Sequence, residues 1–134
     1  MYKKLTPNLM VKDVGRTLAF YQDILGFEVV MTVPAEDGSF HWALVKMDGV
    51  ELMFQSTISL SQEIPVLAAA AIGGSLTLYI EVSNVQAIYQ KLRSQVEVVQ
   101  EMHETFYGTK EFAFKDCNGY ILAFAEPVSR QDGI

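Results

Sequence analysis

Two stretches decide the architecture: KEFAFKDCNGYILAFAE at residues 110–126 and LVKMDGVELMFQ at residues 44–55. Each runs from an apolar strand through a short turn bearing Asp and Gly into a second apolar strand, which is a hairpin pattern. The copies differ on their return strands, with Glu51 and Met53 in one and Ala123 in the other. A hairpin written twice predicts a repeat, and the flanking sequence extends it.

Ahead of the first hairpin, LTPNLMV (5–11) alternates as a half-buried strand, with Leu5, Leu9 and Val11 on one face. Asp13 is placed to cap a helix carrying Val14, Leu18, Tyr21 and Leu25, and Gly26 stops it. FEVVMTV (27–33), SFHWALVKM (39–47) and VELMFQ (50–55) follow as strands, joined by PAEDG and Asp48-Gly49. The same order returns later: strand LTLYIEV (76–82), a cap at Ser83 or Asn84, a helix with Val85, Ile88 and Leu92, then VEVVQEM (96–102), the loop TFYG (105–108) and the second hairpin. The helix ends correspond closely, FYQDILGFEVV (20–30) against IYQKLRSQVEVV (88–99).

The chain therefore reads as two βαβββ modules in a single α+β domain, 1–134: module one about 4–56, a linker at 57–74 with one short helix, and module two about 75–127. A period of about 70 residues is too long for a solenoid and points to paired modules. One helix covers only one face of a four-stranded sheet, so edges and the other face stay open. Pairing two modules predicts a curled mixed sheet around a cleft lined by the helix-free faces.

The totals narrow the partners. Half of the 134 residues are hydrophobic and 19% are charged, a globular composition. The net charge of −6 repels phosphate backbones and argues against nucleic acid. It favours a cationic small molecule, and it also serves solubility. One cysteine, Cys117, excludes an internal disulfide; between Asp116 and Asn118 it has no electropositive setting to activate it. MYKKLTPNLMV lacks a signal-peptide core and no apolar run reaches spanning length, so a cytoplasmic protein without a membrane segment is expected.

The layout, together with NLMVKDVGRTLAFYQDILGFEV and YGTKEFAFKDCNGYILAFAE, resembles the glyoxalase/bleomycin-resistance/dioxygenase superfamily, the vicinal oxygen chelate fold, over roughly residues 5–126. The resemblance implies paired modules and a homodimer, with the pairing within or between chains left open. Many members are metalloenzymes, among them glyoxalases, extradiol dioxygenases and epimerases; the bleomycin-binding members hold a drug without metal. The resemblance also implies where ligands would stand: His, Gln or Glu on the first and last strands of each module.

Here those positions fall at Thr6, Thr77 and Ala123, and in module one's last strand at Glu51 or Met53, depending on the alignment. At best one carboxylate survives, fewer than the three ligands a transition metal needs. His41 and His103 match no ligand position, Glu126 has the wrong strand parity, and a substitute set from Glu51, Gln55 and Glu81 is disfavoured. The expectation is no metal and no cofactor, with catalytic residues unknown. A small molecule is expected against Thr6, Asn8, Trp42, Glu51, Met53, Gln55, Thr77, Tyr79, Tyr107 and Ala123. Met10, Glu81, Ile121 and Ala125 share the cleft parity. Whether the Phe40–Trp42 face or the His41 face sees the cleft stays open, and Tyr107 is a stacking candidate. The alternative is a divergent metal-dependent lyase or dioxygenase built on Glu51.

Overall fold

The structure, a computed structural model, describes residues 1–128, so the last residues of the expected domain lie outside the described residues. Its contacts divide the chain into two units, Met1–Ile72 and a second beginning at Gly73. Each holds a four-stranded mixed sheet with a helix on one face, as the repeat predicts.

The first unit contains β1 (Asn8–Val11), α1 (Val14–Ala19), β2 (Glu28–Pro34), β3 (Phe40–Met47), β4 (Val50–Ser56) and α2 (Thr57–Glu63), with sheet order β1-β4-β3-β2. The second contains β5 (Thr77–Glu81), α3 (Val85–Leu92), β6 (Glu97–Glu104), β7 (Thr109–Lys115) and β8 (Ile121–Pro127), with order β5-β8-β7-β6. In both, the first strand lies parallel to the last and the other pairs are antiparallel.

The cores follow the strand alternation. In the first unit Leu9, Val11, Ala43, Val45, Leu52 and Phe54 are buried, with Val14, Leu18 and Tyr21 of the helical segment. Tyr21 meets Phe54 at 4.7 Å between ring centroids. In the second, Phe112, Phe114 and Phe124 form a triangle with centroids 5.2–5.8 Å apart, and Tyr89 of α3 closes on Phe112 at 5.0 Å. Each such ring contributes roughly 1.5–3 kcal/mol by leaving water.

Four local features differ from the expectation. The first strand begins at Asn8 rather than Leu5, which leaves Thr6 ahead of it and Leu5 84% exposed. Pro7 has no N–H to give the ladder; only its carbonyl joins, accepting from Met53 N at 2.8 Å. The first helix runs as α only to Ala19 and closes with a π turn over Phe20–Ile24. Gly26, at φ +82°, then lets Phe27 N return to the Tyr21 carbonyl at 2.9 Å. Asn84 stands at the N-cap of α3 with φ +57° but caps nothing with its side chain. The carboxylate of Glu126 takes that role, accepting from Asn84 N and Val85 N at 3.0 Å each. Finally, the expected linker is largely ordered. Ser56 caps α2 by accepting from Ser59 N at 3.2 Å, Leu60 is buried, and a 3-10 turn follows at Pro65–Ala69.

Candidate functional site

The sheet faces turned away from α1 and α3 carry most of the residues named from the sequence; Thr6 lies ahead of β1, Tyr107 in the loop before β7, and α2 meets the first of these faces where Ser59 bonds Gln55. Asp13 and Asn84 directly precede α1 and α3, so Asn8 and Tyr79 occupy equivalent places on β1 and β5. Asn8 pairs with Met53, and Tyr79 pairs with Ala123. That register resolves the open alignment. Met53 is the counterpart of Ala123, and Glu51 stands nearer the hairpin turn.

In the first unit Trp42 pairs with Gln55 and Leu44 with Met53, which puts Trp42 on the face of Met53 and Gln55. Gln55 is buried and bonded through both amide atoms: its Oε1 accepts from Asn8 Nδ2 and its Nε2 donates to Ser59 Oγ, both at 2.9 Å. Glu51 is held by Lys4 Nζ at 2.7 Å, a hydrogen bond that keeps its carboxyl below the ordinary value. His41 is apart from this face. It lines a recess of about 590 Å3 with Lys12, Asp13, Phe40, Ser56 and Ile58.

The second unit holds a network that the sequence reading missed. Glu111 on β7 is only 6% exposed. Its Oε2 accepts three hydroxyls: Tyr79 Oη at 2.6 Å, Thr109 Oγ1 at 2.7 Å and Tyr107 Oη at 2.9 Å. Burial pushes the Glu111 carboxyl up, but the three hydroxyl donors and nearby His103 outweigh it and hold the group below its ordinary value. The same hydrogen bonds push the Tyr79 and Tyr107 phenols up. Around Glu111 the face is floored by small side chains. Tyr79, Ala123 and Ala113 form one ladder row; Glu81, Ala125, Glu111 and His103 form the next.

The loop before β7 fixes Tyr107. Thr105 N bonds the Thr109 carbonyl at 2.8 Å, and Gly108 turns the chain at φ +90°. The Phe106 ring stands edge-on to Tyr107, centroids 5.1 Å apart. Two signals in the sequence bear on Glu111. It shares strand parity with Ala113, opposite Phe112 and Phe114, and it follows Tyr107 and Thr109 at short range.

Of the four ligand positions that the resemblance implies for a family metal, Thr6 lies ahead of β1 and Met53, Thr77 and Ala123 lie on strands; none offers an imidazole or a carboxylate. Glu51 is paired with Lys4, Glu111 is taken up by three hydroxyls, and the amide of Gln55 bonds Asn8 and Ser59. Among the described residues no three His, Cys, Asp or Glu side chains group as a metal site would require. The donor set does not fit the metal of the family's enzymes.

The family model described as the glyoxalase/bleomycin resistance protein/dioxygenase superfamily matches residues 5–124. The chain belongs to that superfamily. Within it, the chain is 23% identical to an uncharacterised protein of Mycobacterium bovis over 126 residues, 92% of this chain and 83% of the relative. Similar solved structures include TioX from Micromonospora sp. ML1, at TM-score 0.76 and 17% identity, covering 95% of this chain and 100% of that one. Another is TnmS3, an antibiotic binding protein from Streptomyces sp. CB03234, at TM-score 0.71 and 21% identity, covering 95% and 97%. At those identities the likeness establishes the fold. The superfamily's two βαβββ modules are both recognisable in this chain.

Proposed function

We propose that this superfamily member binds a small molecule, aromatic or cationic, on the sheet faces turned away from α1 and α3, without the metal of the family's enzymes. The observation that carries the reading is the residue set at the four positions where the resemblance places metalloenzyme ligands, Thr6, Met53, Thr77 and Ala123. The same faces keep Trp42, Tyr79 and Tyr107, rings suited to stacking. The antibiotic-binding relative TnmS3 supports ligand capture as a use of this fold. The acidic chain is suited to attracting cations, and neither nucleic acid nor membrane enters the reading. Among the described residues no helix is long and apolar enough to cross a membrane. We place the protein in the cytoplasm as a homodimer; a monomer mass by sedimentation at micromolar concentration would overturn the dimer.

Calorimetric titration of metal-stripped protein with Ni²⁺, Mn²⁺, Fe²⁺ and Zn²⁺ tests the metal-free reading. The expected result is no binding at micromolar concentration. Tight binding of one ion per site, abolished by Glu51→Gln, would overturn it and establish a divergent lyase- or dioxygenase-type centre instead. Ligand capture is tested by a thermal-shift screen of planar and cationic drugs, in which a bound compound raises the melting temperature by mass action. No stabilisation across the screen at large excess would overturn it.

A further inference from the structure

We infer that the β5–β8–β7 face of the second unit selects aromatic ligands carrying O–H or N–H donors, because Glu111 draws the hydroxyl protons of that face onto itself. The inference rests on the binding reading above and names the ligand chemistry of one of its faces.

A phenol has one proton to give and lone pairs to accept with. Glu111 is ionised and has none to give, so Tyr79 and Tyr107 each donate their only proton to its Oε2. Thr109 does the same, which leaves its oxygen an acceptor toward Thr105 Oγ1 at 2.8 Å; Thr105 is therefore the donor in that pair. The protons run one way, from Thr105 to Thr109 and from Thr109, Tyr79 and Tyr107 to Glu111. His103, the ladder partner of Glu111, places Nδ1 2.8 Å from the Glu101 carbonyl. A carbonyl only accepts, so Nδ1 carries hydrogen. Glu81 adds a carboxylate across Ala125 on the same face. Around Glu111 this face thus turns lone pairs outward, from Tyr79, Tyr107 and Glu81, while its N–H donors stand away from that row, Gln100 beside Ala113 and Lys115 paired with Glu97.

The rings supply the second half. Tyr79 is 55% and Tyr107 54% exposed, although both hydroxyls are fixed on Glu111. A ring anchored at its tip has surrendered rotamer freedom before a ligand arrives, which lowers the entropic cost of stacking on it. Ala113, Ala123 and Ala125 leave the sheet low beside the rings. A flat molecule lying there meets acceptors at its edge. It gains by donating, and it loses by bringing an ether, a carboxylate or a sulfonate.

The test compares a naphthalenediol with its hydroxyls on opposite rings and the matching dimethoxynaphthalene, titrated by fluorescence near neutral pH. The rings are identical and only the donors are lost. The diol should bind at least roughly tenfold tighter, a difference of about 1.4 kcal/mol. Tyr79→Phe keeps the ring and removes the phenol acceptor, while Tyr107 and Thr109 stay on Glu111 Oε2; it should weaken the diol and leave the ether unchanged. Tyr79→Ala should weaken both. Circular dichroism checks each fold. Equal affinities, both lost in Tyr79→Ala, would overturn donor selection while leaving ligand binding at this face intact. No binding of either compound alongside hits in the drug screen would overturn this face as the site and spare the binding reading. No binding in either experiment would overturn both.

Discussion

Glu111 condenses the chemistry of the second unit into one side chain. A carboxylate can take three hydroxyl donors on one oxygen because its charge strengthens each bond. A glutamine at the same place has one acceptor oxygen and must point an NH2 group among hydroxyls already oriented to donate. Glu111→Gln should therefore destabilise the fold by about 1–3 kcal/mol, the usual range when a buried hydrogen-bond partner is mismatched. Urea denaturation reads it as a lower midpoint at unchanged slope. A midpoint equal to the parent's would mean that the network is incidental. The sequence shows the strand and the face of this residue but not its partners. Tyr79 reaches it from another strand, through a register fixed only when β5 pairs with β8 and β8 with β7. Tyr107 reaches it from a loop whose turn is set by Gly108. Trp42 was the converse case. Its parity with Phe40 was plain, but its face became definite only with the Trp42–Gln55 pair.

At the scale of elements, nearly all of the strand and helix order was legible, because alternation and caps are local signals. Asp13 caps as expected, with its Oδ1 accepting from Arg16 N at 3.0 Å. What escaped was long-range. The cap of α3 comes from Glu126, far along the chain, and α2 is held by the burial of Leu60. The turn glycines make the local part testable. Gly26 sits at φ +82°, where a Cβ strains the backbone. Gly49 does not share that conformation, and an added Cβ would meet nothing within 4 Å. Gly26→Ala should cost about 1–2 kcal/mol, while Gly49→Ala should stay within about 0.5 kcal/mol of the parent. Thermal unfolding of the pair separates the two. Equal losses would show that Gly26 is not confined to the left-handed region in solution.

Over the whole molecule the titrating groups set a stability profile with two limbs. The carboxyls of Glu51, Glu111 and Glu126 are lowered from 4.5, each by hydrogen bonds that outweigh its desolvation, and Asp37 is lowered from 3.8 by Ser39. In the window below those ordinary values the unfolded chain binds more protons than the folded one, so stability rises with pH there. Their contribution is complete above about 4.5 and is lost as pH falls through the folded values. Tyr79, Tyr89 and Tyr107 are raised above 10.0, chiefly by hydrogen bonds to Glu111 or Glu101. Their contribution is complete below that pH and is lost as pH climbs through the folded values. The expected profile is a plateau between the two windows with a fall on either side. Glu111 links the limbs, since it is both a depressed acid and the cause of two raised phenols. In Glu111→Gln the acid limb should flatten, and the alkaline limb should flatten with it. A side chain that merely filled space would lower the plateau and leave both slopes as they were. Chemical denaturation of parent and variant at a series of pH values distinguishes the cases, and a variant whose limbs run parallel to the parent's would show that the Glu111 network does not titrate as a unit.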